Sequence, residues 1–159
     1  MTSWFGPPDG CRTPSGLADE ERAEARRRLT FPDLVAAAGQ LPDGLVLDGE
    51  VLAWDVELGA LSFEGLQRRA AARARTAPAL TARLPALYLA FGILQADGVE
   101  LLTLRQRERR QRLEVLFAAR ALTSPWTLCP MTTDEATARE WLEAWTDVIG
   151  VEGLVAKPR

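Results

Sequence analysis

A single lysine limits the covalent chemistry that is open to this chain. Lys157 is the only lysine among the 19 basic residues, and the sequence contains no histidine. The lack of histidine excludes Ser-His-Asp and Cys-His catalysis as well as histidine-ligated metal sites. Cys11 and Cys129 lie far apart with no partner at metal-ligand spacing, and we interpret them as small apolar residues. Any mechanism that needs a lysine must therefore use Lys157.

Asp48 and Glu50 form an acidic pair inside an apolar segment, Leu45–Trp54, that is typical of a β-strand. Side chains two residues apart on a strand share a face, so both carboxylates should point the same way. Gly49 between them permits a close approach on the other face. Because an unpaired buried charge is costly, these acids require a metal ion or cationic partners, and a structural network with arginines is the alternative.

Arginine is concentrated in one stretch of the chain. Ten arginines and only three acids lie between Arg68 and Arg112, although the net charge of the chain is -3. Such a stretch predicts either a surface that binds phosphate backbones or a solvated helix face.

The hydrophobic pattern predicts a mixed α+β chain in which helices separate the strands. Residues 1–28 are expected to form a divergent, flexible segment with a short exposed helix at Asp19–Arg28, and residues 29–159 form one domain. Predicted strands are Leu45–Trp54, Leu87–Leu94, Trp126–Met131 and Val151–Lys157. Predicted helix starts are Pro32, an N-cap at Ser62, and capping boxes at Thr103 with Gln106 and at Thr132 with Glu135. The last of these helices carries an apolar stripe of Ala138, Trp141, Leu142, Trp145 and Val148, and ends at Gly150.

Three of these strands resemble motifs of the ATP-dependent DNA ligases, in the family's order. Leu47–Val51 is similar to the strand that carries Asp-Gly-Glu. Tyr88–Leu94 is similar to the motif whose usual form ends in Phe-Asp-hydrophobic-Leu, and Val151–Lys157 to the motif Glu-Gly followed by apolar residues and Lys. The connecting segments Ser62–Arg69 and Leu101–Arg110 are also similar to the family. The resemblance implies part of an α+β nucleotidyltransferase (adenylation) domain of the DNA ligase and mRNA-capping type, with mainly antiparallel strands and packed helices.

The resemblance also implies a chemistry and a set of residue roles. Such enzymes seal DNA nicks in repair and recombination, using ATP, Mg²⁺ and a lysyl-AMP intermediate. Carried over by position, Glu50 contacts the ribose or a metal ion, Phe91 stacks on adenine, Glu152 helps to hold the metal, and Lys157 lies near the phosphates. Strict alternation places Lys157 on the opposite face from Glu152. Core packing of Phe91 and a solvent-facing Glu152 are the alternatives. Nicked DNA is the implied partner, through the Arg68–Arg112 region.

The sequence departs from the family pattern in three places. No lysine precedes position 157, so the nucleophilic Lys-x-Asp-Gly motif is absent, and Pro7–Arg12 is only a faint echo of it. Gly92 stands where the family usually has Asp. The chain also ends at Arg159, before the lysine-bearing fifth motif. We therefore expect a family member that is truncated at both ends and has no ligase activity of its own.

Two alternatives to an inactive ligase fragment remain open. One is a non-catalytic module that binds nucleotide or DNA, or docks on a complete ligase. The other is a misassigned gene start and end. No apolar run approaches the length of a bilayer span, and Met1–Gly10 has no secretory pattern, so a cytoplasmic location is predicted.

Overall fold

The computed structural model of the chain describes residues 30–72, 75–145, 151 and 153–157. In these ranges a five-stranded sheet is combined with five helices. The strands are β1 (Val46–Asp55), β2 (Ala60–Leu61), β3 (Ala86–Ala96), β4 (Val99–Glu100) and β5 (Trp126–Leu128). The helices are α1 (Pro32–Ala38), α2 (Phe63–Ala71), α3 (Ala77–Arg83), α4 (Gln106–Ala119) and α5 (Glu135–Trp145). None of the helices in the described ranges is long and apolar enough to cross a membrane.

Strand β3 organises the sheet because it pairs with three other strands. It is antiparallel to β1 and β4 and parallel to β5, while the short β2 pairs with the end of β1. The mixed α+β architecture with mainly antiparallel strands confirms the predicted fold class.

The β1–β3 ladder contains two irregularities. Asp48 pairs with Gly92 but Gly49 pairs with Ala90, so Phe91 has no partner in β1. A second register shift lies between Val46 and Leu47, nearer the end of β3. There Leu94 of β3 has no partner in β1. An extra residue of this kind is a β-bulge, which bends its strand and increases the local twist.

The hydrophobic core lies between β3, α4 and β5. Its buried members are Ala37, Ala90, Ile93, Leu101, Leu113, Phe117 and Trp126. The Tyr88 ring meets Trp126 edge-on, with 5.7 Å between the ring centroids, and the Tyr88 hydroxyl donates to the Leu47 carbonyl at 3.2 Å. A Cβ at Gly49 would lie 2.6 Å from both the Tyr88 ring and the Leu89 carbonyl oxygen, which confirms the predicted close approach at this glycine.

A second buried centre is polar and is built on Arg69. Its side chain is fully buried and donates two hydrogen bonds to the Thr30 carbonyl, two to the Asp33 carboxylate and one to the Leu84 carbonyl. The guanidinium also lies over the Phe31 ring, 5.0 Å from its centroid. Arg69 therefore joins α1, α2 and the segment before β3. Neither interpretation of the arginine-rich stretch, a phosphate surface or a solvated face, applies to this residue.

The helix starts follow the predictions in part. Ser62 caps α2 as predicted, since its hydroxyl accepts the Gly65 N–H at 2.9 Å. The box predicted at Thr103 and Gln106 is wrong, because Glu108 accepts the Arg105 N–H at 3.0 Å and α4 begins at Gln106.

The capping box predicted at Thr132 and Glu135 is also wrong. Asp134 caps α5 by accepting the Thr137 N–H at 2.8 Å. The Thr137 hydroxyl also donates to this carboxylate, at 2.7 Å, and the two bonds from Thr137 lower the pKa of Asp134. A carboxylate is a stronger acceptor than a neutral hydroxyl.

The C-terminal part of the chain differs most from the predictions. Strand β5 is three residues long, and residues 151 and 153–157 form no strand, because no strand in the described residues pairs with them. No described residue of α5 is buried, although Trp141 and Trp145 stack with their ring centroids 4.8 Å apart. The predicted helix at Asp19–Arg28 and the end of the apolar stripe at Val148 and Gly150 lie outside the described residues.

Candidate functional site

A concavity of about 300 Å³ lies where β1, β3, the beginning of α4 and the C-terminal segment meet. It is lined by Asp48, Gly92, Gln106, Arg109 and Lys157. These residues come from four separate parts of the chain, and all but Gly92 carry polar or charged groups.

Two of the predicted site residues come together beside this concavity. The Lys157 Nζ atom lies 5.1 Å from the centroid of the Phe91 ring, which is the distance of a cation–π contact. Phe91 is half-buried and Lys157 is exposed. Phe91 is the residue that has no partner in the β1–β3 ladder, so the bulge sets its position.

Asp48, rather than Glu50, is the acidic residue that lines the concavity. Asp48 pairs with Gly92 across the ladder, and a Cβ at position 92 would lie 3.2 Å from an Asp48 carboxylate oxygen. Glu50 pairs with Leu89, is exposed and does not line the concavity. Alternation along β1 places both acids on one face and does not distinguish them, so the register against β3 decides which one lines the concavity.

The charge of Asp48 extends to Tyr88 on the neighbouring strand. Burial of the Tyr88 hydroxyl raises its pKa, and the negative charge of Asp48 raises it further. The tyrosine therefore remains a neutral hydrogen-bond donor to the Leu47 carbonyl.

Arg109 lines the same concavity and was not predicted as a site residue. Its Nη2 atom donates to the Gln106 side-chain oxygen at 2.9 Å. Its Nε atom is buried and has no hydrogen-bond partner. The only signal in the sequence was the membership of Arg109 in the arginine-rich stretch, which does not single it out.

The described residues do not form a metal site by themselves. No group of three acidic, histidine or cysteine side chains comes together among them. Asp48 shares its concavity with the cations Arg109 and Lys157 instead of other carboxylates. Glu152, predicted as a metal ligand, lies outside the described residues. A magnesium ion at this place would need phosphate oxygens and water as additional ligands, an arrangement that Mg²⁺ commonly adopts.

The other arginines of the Arg68–Arg112 region fall into two groups. Arg83 pairs with Glu57 at 2.6 Å, Arg110 pairs with Glu114 at 2.7 Å, and Arg68 is 3.8 Å from Glu64. The second group is exposed and has no carboxylate partner among the described residues. It consists of Arg75, Arg105, Arg107 and Arg112.

Comparison with known proteins identifies the family. Residues 20–159 match the model of the ATP dependent DNA ligase domain. The chain is 38% identical over 139 residues to DNA ligase C2 of Mycolicibacterium smegmatis, an alignment that covers 86% of the chain and 38% of that protein. It is 36% identical over 156 residues to a probable DNA ligase of Beutenbergia cavernae, covering 94% of the chain and 28% of the relative.

The name of a third relative describes a broader role. The chain is 34% identical over 141 residues to the multifunctional non-homologous end joining protein LigD of Mycobacterium bovis, covering 87% of the chain and 16% of that protein. The chain thus spans well under half the length of each of these relatives. Because the family model covers most of its residues and several ligases align along most of its length, the chain belongs to the ATP-dependent DNA ligase family.

Proposed function

We propose that this chain is the nucleotide-binding part of an ATP-dependent DNA ligase, and that it binds ATP at the concavity beside Phe91 and Lys157. The observation that carries this proposal is the contact of the Lys157 ammonium with the Phe91 ring at 5.1 Å. It combines an aromatic face, on which a base can stack, with a cation for phosphate. Glu50 and Glu152 are the proposed ligands, together with phosphate oxygens, for a magnesium ion that arrives with ATP.

The position of Lys157 has a consequence for how adenine stacks. In the structure, the ammonium group occupies one face of the Phe91 ring. Adenine therefore needs either the other face or the departure of Lys157. Movement of the ammonium towards the phosphates would free the ring and neutralise phosphate charge in the same step.

We propose further that the 159-residue chain forms no covalent AMP adduct on its own. Lysyl-AMP requires a lysine upstream of the Asp-Gly-Glu strand in the family, and the only lysine here is Lys157. Nick sealing in DNA repair or recombination would then require a nucleophile from elsewhere. A non-catalytic module that docks on a complete ligase is the second candidate.

Intact-mass measurement after incubation with ATP and Mg²⁺ or Mn²⁺ tests the covalent part of the proposal. We expect an unchanged mass. An added AMP would contradict it, and an adduct mapped to Lys157 would give the only lysine the role of the nucleophile.

Calorimetric titration with ATP tests the binding part. Phe91→Leu should weaken ATP binding about tenfold, because stacking of a base on an aromatic ring contributes about 1–3 kcal/mol. Phe63→Leu is the matched control, since Phe63 is 73% exposed on α2 and should not affect ATP. Failure of the unaltered chain to bind ATP, or equal effects of the two substitutions, would disprove the assigned site.

A further inference from the structure

We propose that Arg109 is the residue that binds the phosphate groups of the ligand in this concavity, an inference that rests on the proposed ATP site. Arg109 lies on α4, outside the three strand motifs that carry the family resemblance. The ligand class is a polyphosphate anion, here the triphosphate of a nucleotide.

The hydrogen bonding of Arg109 is incomplete within the protein. Among the described residues, its side chain donates one hydrogen bond, to the neutral Gln106 side chain, and its buried Nε–H has no acceptor there. The next residue, Arg110, is also buried but donates to the Glu114 carboxylate at 2.7 Å. A buried donor without an acceptor costs about 1–3 kcal/mol, so the Arg109 guanidinium favours any ligand that supplies one.

The charge around Arg109 favours an anion. Arg109 and Lys157 bring two positive charges to the concavity, and Asp48 brings one negative charge. Neither cation forms an ion pair with an acid in the described part of the chain. A guanidinium presents a planar fork of N–H donors that matches two phosphate oxygens at once.

Gly92 keeps space open beside this guanidinium. It lines the concavity and has no side chain, and even a Cβ here would lie within 3.2 Å of the Asp48 carboxylate. An acidic side chain at position 92 would occupy the cavity and offer its own carboxylate to Arg109. With glycine, an anion from solution can take that place.

The test is calorimetric titration of the full chain with ATP, inorganic tripolyphosphate and adenosine. Arg109→Gln should weaken binding of ATP and tripolyphosphate about tenfold or more, since hydrogen bonds between charged groups are the stronger class. Binding of adenosine should not change. Arg112→Gln, an exposed arginine three residues further along α4, removes the same charge and should change none of the three affinities by more than about twofold.

The outcomes separate this inference from the proposed ATP site. ATP binding that is the same in the unaltered chain and in Arg109→Gln would overturn the inference and leave the ATP site intact. Equal weakening for adenosine would also overturn it, because it would indicate a structural role. A further outcome is that the chain binds tripolyphosphate through Arg109 but does not bind adenosine. That outcome would support the anion site and disprove the nucleotide site.

A second pair of variants keeps the test decisive if Arg109→Gln folds poorly. Gly92→Asp should abolish tripolyphosphate binding, because the new carboxylate would pair with Arg109. Gly92→Ala adds only the Cβ and should retain most of the binding. Unchanged tripolyphosphate affinity in Gly92→Asp would overturn the inference.

Discussion

Arg69 and Arg109 belong to the same arginine-rich stretch, yet their guanidinium groups have different surroundings. Arg69 donates five hydrogen bonds to Thr30, Asp33 and Leu84. Arg109 donates one within the part of the chain that the structure describes, to Gln106, and its buried Nε has no partner there. Burial alone therefore does not show what an arginine does. Where the protein supplies all the acceptors, the residue serves the fold, and where it does not, a ligand can supply them.

Part of the difference arises from one acidic residue, Asp33. Its carboxylate accepts two bonds from Arg69 and a third from the Ala86 N–H at 2.8 Å. The acid therefore links the start of α1 directly to the start of β3, and it also binds Arg69 of α2. Asp48, the acid that lines the concavity together with Arg109, makes no ion pair with it in the structure.

The largest expected effect is on stability, from Arg69→Met. Removal of one partner of a buried ion pair leaves Asp33 without its cation and typically costs about 3–5 kcal/mol of the free energy of unfolding. Urea unfolding measures it. Arg68→Met is the control, because this neighbouring side chain is half exposed and should change stability by less than about 1 kcal/mol. Equal effects of the two substitutions would disprove a structural role specific to Arg69.

A smaller and pH-dependent effect is expected from Asp33→Asn. Burial acts to raise the pKa of Asp33, but the hydrogen bonds from Arg69 and Ala86 and the charge of Arg69 outweigh it and lower the pKa below its usual 3.8. A lowered pKa in the folded state contributes stability above pH 3.8, and this contribution is lost as the pH falls through the folded pKa.

Asp33→Asn should therefore be less stable than the original chain at pH 7, by about 1–3 kcal/mol. This difference in the free energy of unfolding should become smaller as the pH falls below 3.8. Urea unfolding at a series of pH values measures both. Asp43→Asn, at an exposed position, is the control. A gap that stays constant down to acid pH would show that the Asp33 charge does not contribute.

The smallest effect is expected from Arg109→Gln, which should leave the unfolding temperature unchanged or slightly raised. The substitution removes a buried N–H that has no acceptor, and Arg109 forms no ion pair with the described residues that could be lost. Arg110→Gln, at the next position, breaks the bond to Glu114 and should cost about 1–2 kcal/mol. Thermal unfolding without ligand compares the two. A larger loss for Arg109→Gln than for Arg110→Gln would reverse the roles given to these two residues.

Much of the fold was open to prediction from local patterns. The apolar segment around Asp48 predicted β1, the Ser62 hydroxyl predicted the start of α2, and the family resemblance predicted the fold and indicated both Phe91 and Lys157. These features depend on residues that are close in sequence, or on motifs that carry the signal of the whole family.

The rest depends on contacts that no local pattern reports. Arg69 follows Gln67 and Arg68 in a polar run, and its burial depends on Thr30 and Asp33, which lie 39 and 36 residues away. The lining of the concavity by Asp48 instead of Glu50 depends on the register of β1 against β3. The predicted C-terminal strand was wrong because a strand needs a neighbour, and the segment itself gives no sign of whether one is available.

The bulge at Phe91 affects how β3 can change in length. Phe91 is an extra residue relative to β1, so its deletion would let Ala90 and Gly92 continue a regular ladder with Gly49 and Asp48. Deletion of a paired residue such as Leu89 would instead shift the β1–β3 pairing by one residue on one side of the deletion. The side chains of β3 on that side would then point to the opposite face of the sheet. The aromatic ring beside Lys157 thus occupies a position that the strand can gain or lose at low cost, and a one-residue change there can remove the ring while the sheet is kept.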